Sequence, residues 1–167
     1  MPYATIGSII NSGFLYVCGR DIKYRPIVIL NVRRIVDQNQ PIEVINAATS
    51  FFFDFLARKL LVPGQVENWI MMVDLKDVNM ISLPLNKVKA IIGMTQKHFG
   101  GRLFRQFLVN MAFMMRKSTS VFLNFVDEIT QQKISAHNDK TYKAELLKLI
   151  SPDNLEVKYG GQKPDIT

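Results

Sequence analysis

The sequence predicts an α/β fold with a largely parallel sheet, and three observations carry that prediction. Segments of strand character alternate with segments of helical period along the chain. The runs at 27–30 (Ile-Val-Ile-Leu) and 70–73 (Ile-Met-Met-Val) are apolar at every position, as in strands covered on both faces. Proline opens the two longest helical segments at Pro41 and Pro84, while Pro63-Gly64 and Gly100-Gly101 end them.

Each element follows in order. Residues 15–18 and 27–32 read as two strands separated by a turn at Gly19-Arg20-Asp21. After Pro41, apolar residues recur at helical spacing: Ile42, Ile45, Phe52, Leu56 and Leu60, with Thr49 on the same stripe. Phe51, Phe53 and Phe55 widen that stripe, which predicts a helix buried on two sides. Residues 69–73 form a third strand ending at Asp74. A second long helix follows Pro84, with Leu85, Val88, Ile91, Ile92 and Thr95 on its buried face. Lys97 and His98 fall in its last turn, where positive charge complements the helix dipole. Residues 103–109 are a fourth strand, 118–126 a short helix, and 133–135 a further strand. Asn138 or Asp139 caps a last helix carrying Tyr142, Leu146 and Leu149, which Pro152 keeps short. With no repeat or linker, residues 1–167 read as one domain.

Composition narrows the classes of function. Apolar residues make up 48% of the 167 positions, enough to build a packed core. Eleven Phe and eight Met supply large, adaptable side chains, which fill irregular cores and also line pockets for flexible ligands. Cys18 is the only cysteine, so an intrachain disulfide and a cysteine-rich zinc site are excluded, and a reducing compartment is the simplest setting. The uncharged first nineteen residues lack the basic start of a signal peptide. No run reaches the roughly 18 to 20 apolar residues that cross a bilayer, so any membrane contact is expected to be peripheral. The net charge of +7 is spread along the chain with no zinc-finger or phosphate-loop spacing. Nucleic acid is therefore not the expected partner, and an anionic membrane surface or a protein is.

Nothing in the pattern of reactive residues points to catalysis. His98 and His137 are the only histidines, with neither a second ligand at helical spacing nor a carboxylate cluster beside them. The G-x-S-x-G elbow is absent, and Gly100-Gly101 and Gly160-Gly161 do not open helices as dinucleotide loops do. The expectation is no catalytic residue, no metal and no cofactor other than a bound lipid.

Several segments, in order, resemble the CRAL-TRIO lipid-binding domain. Gly19-Arg20-Asp21 with Arg25-Pro26 resembles its opening strand pair, and Val73-Asp74-Leu75-Lys76 its central strand ending in Asp. His98-Phe99-Gly100-Gly101-Arg102 occupies the place of its Tyr-Pro-Glu-Arg turn, and Asn110 follows the next strand as in its Ile-Asn-x-Pro segment. Phe125-Val126-Asp127-Glu128-Ile129-Thr130 and Lys133-Ile134 are similar to its Phe-Leu-Asp-x-x-Thr and Lys-Ile pattern. Leu146-Leu147 through Asn154-Leu155 to Lys158-Tyr159-Gly160-Gly161 is similar to its closing helix and tail. The resemblance spans residues 14–161, without the helical segment that usually precedes the domain.

The resemblance implies a pocket floored by the mainly parallel sheet and closed by a mobile gate helix. Phe107 and Val109 are expected on the floor, and Phe113, Met114, Val121, Phe122 and Phe125 in the gate. Arg116 and Lys117 would face the membrane, and Thr130 and Lys133 would hold a ligand's phosphate. Two positions depart from the family. Gly101 stands where its inositol-binding members have Glu, and Trp69-Ile70-Met71-Met72 where its choline-binding members have small hydroxyl residues. The function so implied is non-enzymatic binding, transfer or sensing of a phospholipid or other long-chain lipid, in the cytoplasm at membrane surfaces. The alternative is a structural or protein-interaction subunit of a larger, membrane-associated assembly, with the fold kept and the pocket degenerate.

Overall fold

The computed structural model describes residues 3–79, 83–111, 123–124, 126–136 and 141–166, with the side chains of 3–5 and 136 left aside. Five strands form one sheet in the order β1-β2-β3-β4-β5: Leu15–Arg20, Pro26–Asn31, Trp69–Asp74, Leu103–Val109 and Ile134–Ala136. Only β1 and β2 run antiparallel; the other three pairings are parallel. The expected α/β architecture with a mostly parallel sheet is therefore present.

Helices α1 (Tyr3–Asn11), α2 (Val32–Gln38), α3 (Ile42–Lys59) and α4 (Leu85–Phe99) precede or connect these strands. Because β2, β3 and β4 succeed one another in a single direction, crossovers of one hand put α3 and α4 on the same face. The core there joins Ile45, Phe53 and Leu56 of α3 to Val28, Trp69 and Leu108 of the sheet. The other face is covered by α6 (Tyr142–Leu147) and the chain beyond it, through Tyr142, Leu146, Leu155 and Tyr159. Ile27 and Ile29 pack into this second core while Val28 and Leu30 pack into the first. Strand alternation between two covered faces accounts for the unbroken apolar run.

Two local readings are corrected. The second strand stops at Asn31, whose side chain accepts a hydrogen bond from the Arg34 backbone N–H (3.3 Å) and caps the unexpected helix α2. In α3 the deepest aromatic is Phe53, stacked 5.0 Å from Trp69, while Phe52 is half-buried. Phe51 and Phe55 are 48% and 49% exposed, so α3 buries one face rather than two. A hundred degrees of turn per residue sends the three consecutive Phe side chains and Phe55 around the helix instead of along one side. Asn138 and Asp139 lie outside the described residues, and the structure starts α6 after Thr141.

The hairpin and the tail are fixed by buried polar contacts. Asp21 accepts the Lys23 and Arg25 backbone N–H groups on Oδ1, at 2.9 and 2.8 Å. Its Oδ2 takes the Arg25 guanidinium at 2.6 Å, and that guanidinium lies 3.3 Å over the Phe104 ring. At the far end, Asp74 accepts the Tyr159 hydroxyl (2.7 Å), the Asn110 amide (2.9 Å) and the Lys76 N–H (2.9 Å). The terminal Asp of β3, the Asn after β4 and the Tyr of the tail are thus one buried network.

Gly160 has φ +96°, and a Cβ on Gly161 would lie 1.9 Å from the Leu155 carbonyl oxygen. The tail glycines are required by backbone conformation at the first and by close approach at the second. Gly161→Ala should cost about 1–3 kcal/mol, because the Leu155 backbone must move. Gly93→Ala is the control: nothing lies within 4 Å of its Cβ position, and alanine in α4 should be neutral or stabilising. Urea denaturation of both variants measures the contrast; equal midpoints would contradict it.

Candidate functional site

The site lies between the sheet and α4. Trp69, Met71 and Val73 alternate along β3, and Gln106 and Leu108 along β4, to make its floor. Val88, Ile91, Ile92, Thr95 and Phe99 of α4 form the opposite wall at helical spacing. Gly100 and Gly101 of the following turn, and Thr130, Lys133 and Ile134, close one end. The cavity volume is about 100 Å³. The lining is overwhelmingly apolar.

Phe107 and Val109, expected on the floor, face the other way into the core built with Tyr142 and Tyr159. The reason is strand parity: neighbouring residues point to opposite faces, so Gln106 and Leu108 take the floor. The sequence reading chose the wrong alternate set, since β4 is apolar at 107, 108 and 109 alike. Phe113, Met114, Arg116, Lys117, Val121, Phe122 and Phe125 lie outside the described residues, as does His137.

Thr130 and Lys133 both line the cavity, positioned by a short capped turn. Asp127 caps α5 (Glu128–Gln131), its Oδ1 accepting the Thr130 N–H at 2.9 Å. Its Oδ2 accepts the Thr130 hydroxyl (2.8 Å) and the Gln96 amide (2.6 Å), which ties the turn to α4. The Thr130 N–H and hydroxyl bonds hold the Asp127 carboxyl below the usual carboxylate range. The Asp-x-x-Thr spacing is therefore a cap, and the Thr130 hydroxyl proton is already engaged. Lys133 differs: its ammonium has no ion pair or hydrogen bond among the described residues.

Gly101 has φ +84°, and a Cβ there would meet nothing within 4 Å. Space for a side chain exists, but the backbone conformation favours glycine. Sequence reasoning missed Gln106 and the inward-facing Trp69. The available signal was one uncharged polar residue within β4, flanked by Arg105 and Phe107.

Basic side chains lie along the edge of the sheet at which β2 to β5 begin, the edge that carries Lys133. α3 and α4 run antiparallel to the strands, so their last turns, with Arg58, Lys59, Lys97 and His98, come to the strands' N-terminal edge. Arg20 confirms the placement by donating to the Tyr24 and Leu60 carbonyls there, at 2.6 and 2.9 Å. Among the described residues no group of three His, Cys, Asp or Glu side chains could hold a metal, and no helix is long and apolar enough to cross a membrane.

The fold and site define an α/β domain that carries an apolar cavity on one face of a mostly parallel sheet. The chain belongs to the CRAL/TRIO domain family, whose pattern matches residues 10–161. It is 30% identical over 99 residues to the SEC14 cytosolic factor of Eremothecium gossypii, which covers 58% of this chain and 32% of that protein. The SEC14 cytosolic factor of Kluyveromyces lactis matches at the same identity over 58% of this chain and 33% of its own length. The chain thus spans about a third of the length of these curated relatives. The crystal structure of Sfh5 superposes with a TM-score of 0.69 at 17% identity, over 95% of this chain and 57% of that one.

Proposed function

We propose that this protein binds a phospholipid without chemically changing it, and hands it between membranes or reports its presence. The observation that carries the reading is the apolar cavity between sheet and α4, which ends at a half-buried lysine with no ion pair among the described residues. Acyl chains suit the Met, Ile, Val and Leu walls, and an anionic phosphate suits Lys133. Thr130 acts chiefly by shaping the turn that presents Lys133, and joins the phosphate only if its hydroxyl leaves Asp127. Family membership and the SEC14 relatives support the same reading. Cations at the Lys133 end favour approach to an anionic membrane, each contributing about 1 kcal/mol near such a surface. Passage of the ligand through a helical gate at 113–125 belongs to this proposal, as does work in the cytoplasm at membrane surfaces.

Lys133→Ala should weaken phospholipid binding by about 1.5–3 kcal/mol, the scale of a hydrogen bond to a charged group. Vesicle-to-vesicle transfer with labelled phospholipids measures it, and Lys148→Ala, an exposed residue on the opposite face of the sheet, is the control. Transfer unchanged in Lys133→Ala would remove Lys133 from the site. Protein that takes up no lipid at all would favour the protein-interaction subunit instead.

A further inference from the structure

Two polar side chains on the cavity floor have no hydrogen-bond partner among the described residues. Trp69 is 1% exposed, wedged between Phe53 and Phe99, and its indole Nε1–H is buried with no acceptor. The Gln106 amide, half-buried on the neighbouring strand, makes no side-chain hydrogen bond among the described residues. Gln106 pairs with Met71, so it lies diagonally across from Trp69 on the same face of the sheet. Buried donors are almost always satisfied, so the Trp69 indole, with the half-buried Gln106 amide diagonal to it, calls for an acceptor from outside the described residues. They also lie close to the phosphate contact proposed above. The Gln106 N–H donates to the Lys133 carbonyl oxygen at 2.9 Å, which places that lysine beside this part of the floor.

From this arrangement we infer that Trp69 and Gln106 recognise the ester carbonyls of a diacyl glycerophospholipid. The inference rests on the proposed lipid-binding function and adds the ligand's linkage chemistry to it. In such a molecule the phosphate, the ester carbonyls and the hydrocarbon chains follow one another over a few bonds. Lys133, then Gln106 and Trp69, then the aliphatic walls meet that order of groups. A dialkyl ether lipid has the same phosphate and chains but presents only weakly accepting ether oxygens.

The test offers the protein vesicles containing equal amounts of dioleoyl phosphatidic acid and its dialkyl ether analogue. Re-isolated protein is extracted and both lipids are counted by mass spectrometry. The wild type should take up ester over ether by roughly three- to tenfold, the scale of one or two neutral hydrogen bonds. Trp69→Phe keeps the aromatic packing, Gln106→Leu keeps the bulk, and each should move the ratio toward one while total uptake persists. Melting curves confirm that both variants are folded, and if one is not, the other carries the test. Equal uptake of the two lipids by the wild type, or an unchanged ratio in the folded variants, overturns the inference and leaves lipid binding intact. No uptake of either lipid overturns the lipid-binding reading itself, and this inference with it.

Discussion

Replacing Arg25 by alanine should destabilise the protein by about 3–5 kcal/mol, the largest effect expected from any single change discussed above. The Asp21 side chain is fully buried, and the guanidinium is its only charged partner among the described residues. With Arg25 gone, two backbone N–H groups remain on Oδ1 while Oδ2 loses both of its contacts. An uncompensated carboxylate must then be protonated or exposed, and exposing it opens the β1–β2 hairpin at the sheet edge. The cation over Phe104 is lost as well. Urea denaturation should show a lower midpoint with little change in slope. The double change Asp21→Asn with Arg25→Met removes both charges and should recover part of the loss. A cost below about 1 kcal/mol for Arg25→Ala would contradict a buried ion pair here.

Stability should fall steeply as pH rises above about 9, a second large effect. Burial, reinforced by the nearby Glu156 carboxylate, pushes the Cys18 thiol up to about 11. Burial also raises Tyr16, whose hydroxyl donates to Glu156 Oε2 at 2.9 Å, and Tyr159, which faces Asp74. The folded state holds these protons more tightly than the unfolded chain does. The unfolded chain therefore ionises first, and the stabilisation present below the unfolded thiol value is lost on the way up to the folded one. A shift of about two pH units for Cys18 corresponds to about 3 kcal/mol by pH 11, with the tyrosines adding from pH 10 upward. Thermal melts from pH 7 to 11 test this. The wild-type advantage over Cys18→Ala should shrink across the range, and a constant difference would contradict the account.

The sheet was legible in the sequence because β2 and β3 are buried on both faces, which leaves no polar position in 27–30 or 70–73. The long helices were legible from their proline starts and their period. Two helices were not. Tyr3–Asn11 carries no charged residue to mark a solvent face, and Val32–Gln38 continues the apolar strand before it, with only Asn31 as a cap signal. Of the residues expected at the site, Thr130 and Lys133 line the cavity, while Phe107 and Val109 do not. The unbroken apolar run at 107–109 does not announce which parity faces the cavity, so Phe107 and Val109 were taken in place of Gln106 and Leu108. Nor does a sequence reveal that the Thr130 hydroxyl already serves Asp127, because a cap and a ligand contact use the same residue types.

The central claim is that the cavity between the sheet and α4 holds a lipid, and the most direct measurement is what leaves that cavity on extraction. Protein purified without detergent would be extracted with organic solvent and its lipids identified and counted by mass spectrometry, beside Ile92→Trp. Ile92 lines the cavity and is only half-buried, so the larger ring should fill the space without disrupting the core. The account predicts about one phospholipid per wild-type chain, and little or none from the folded variant. Equal lipid from both proteins, or none from the wild type even after incubation with mixed phospholipid vesicles, would contradict it.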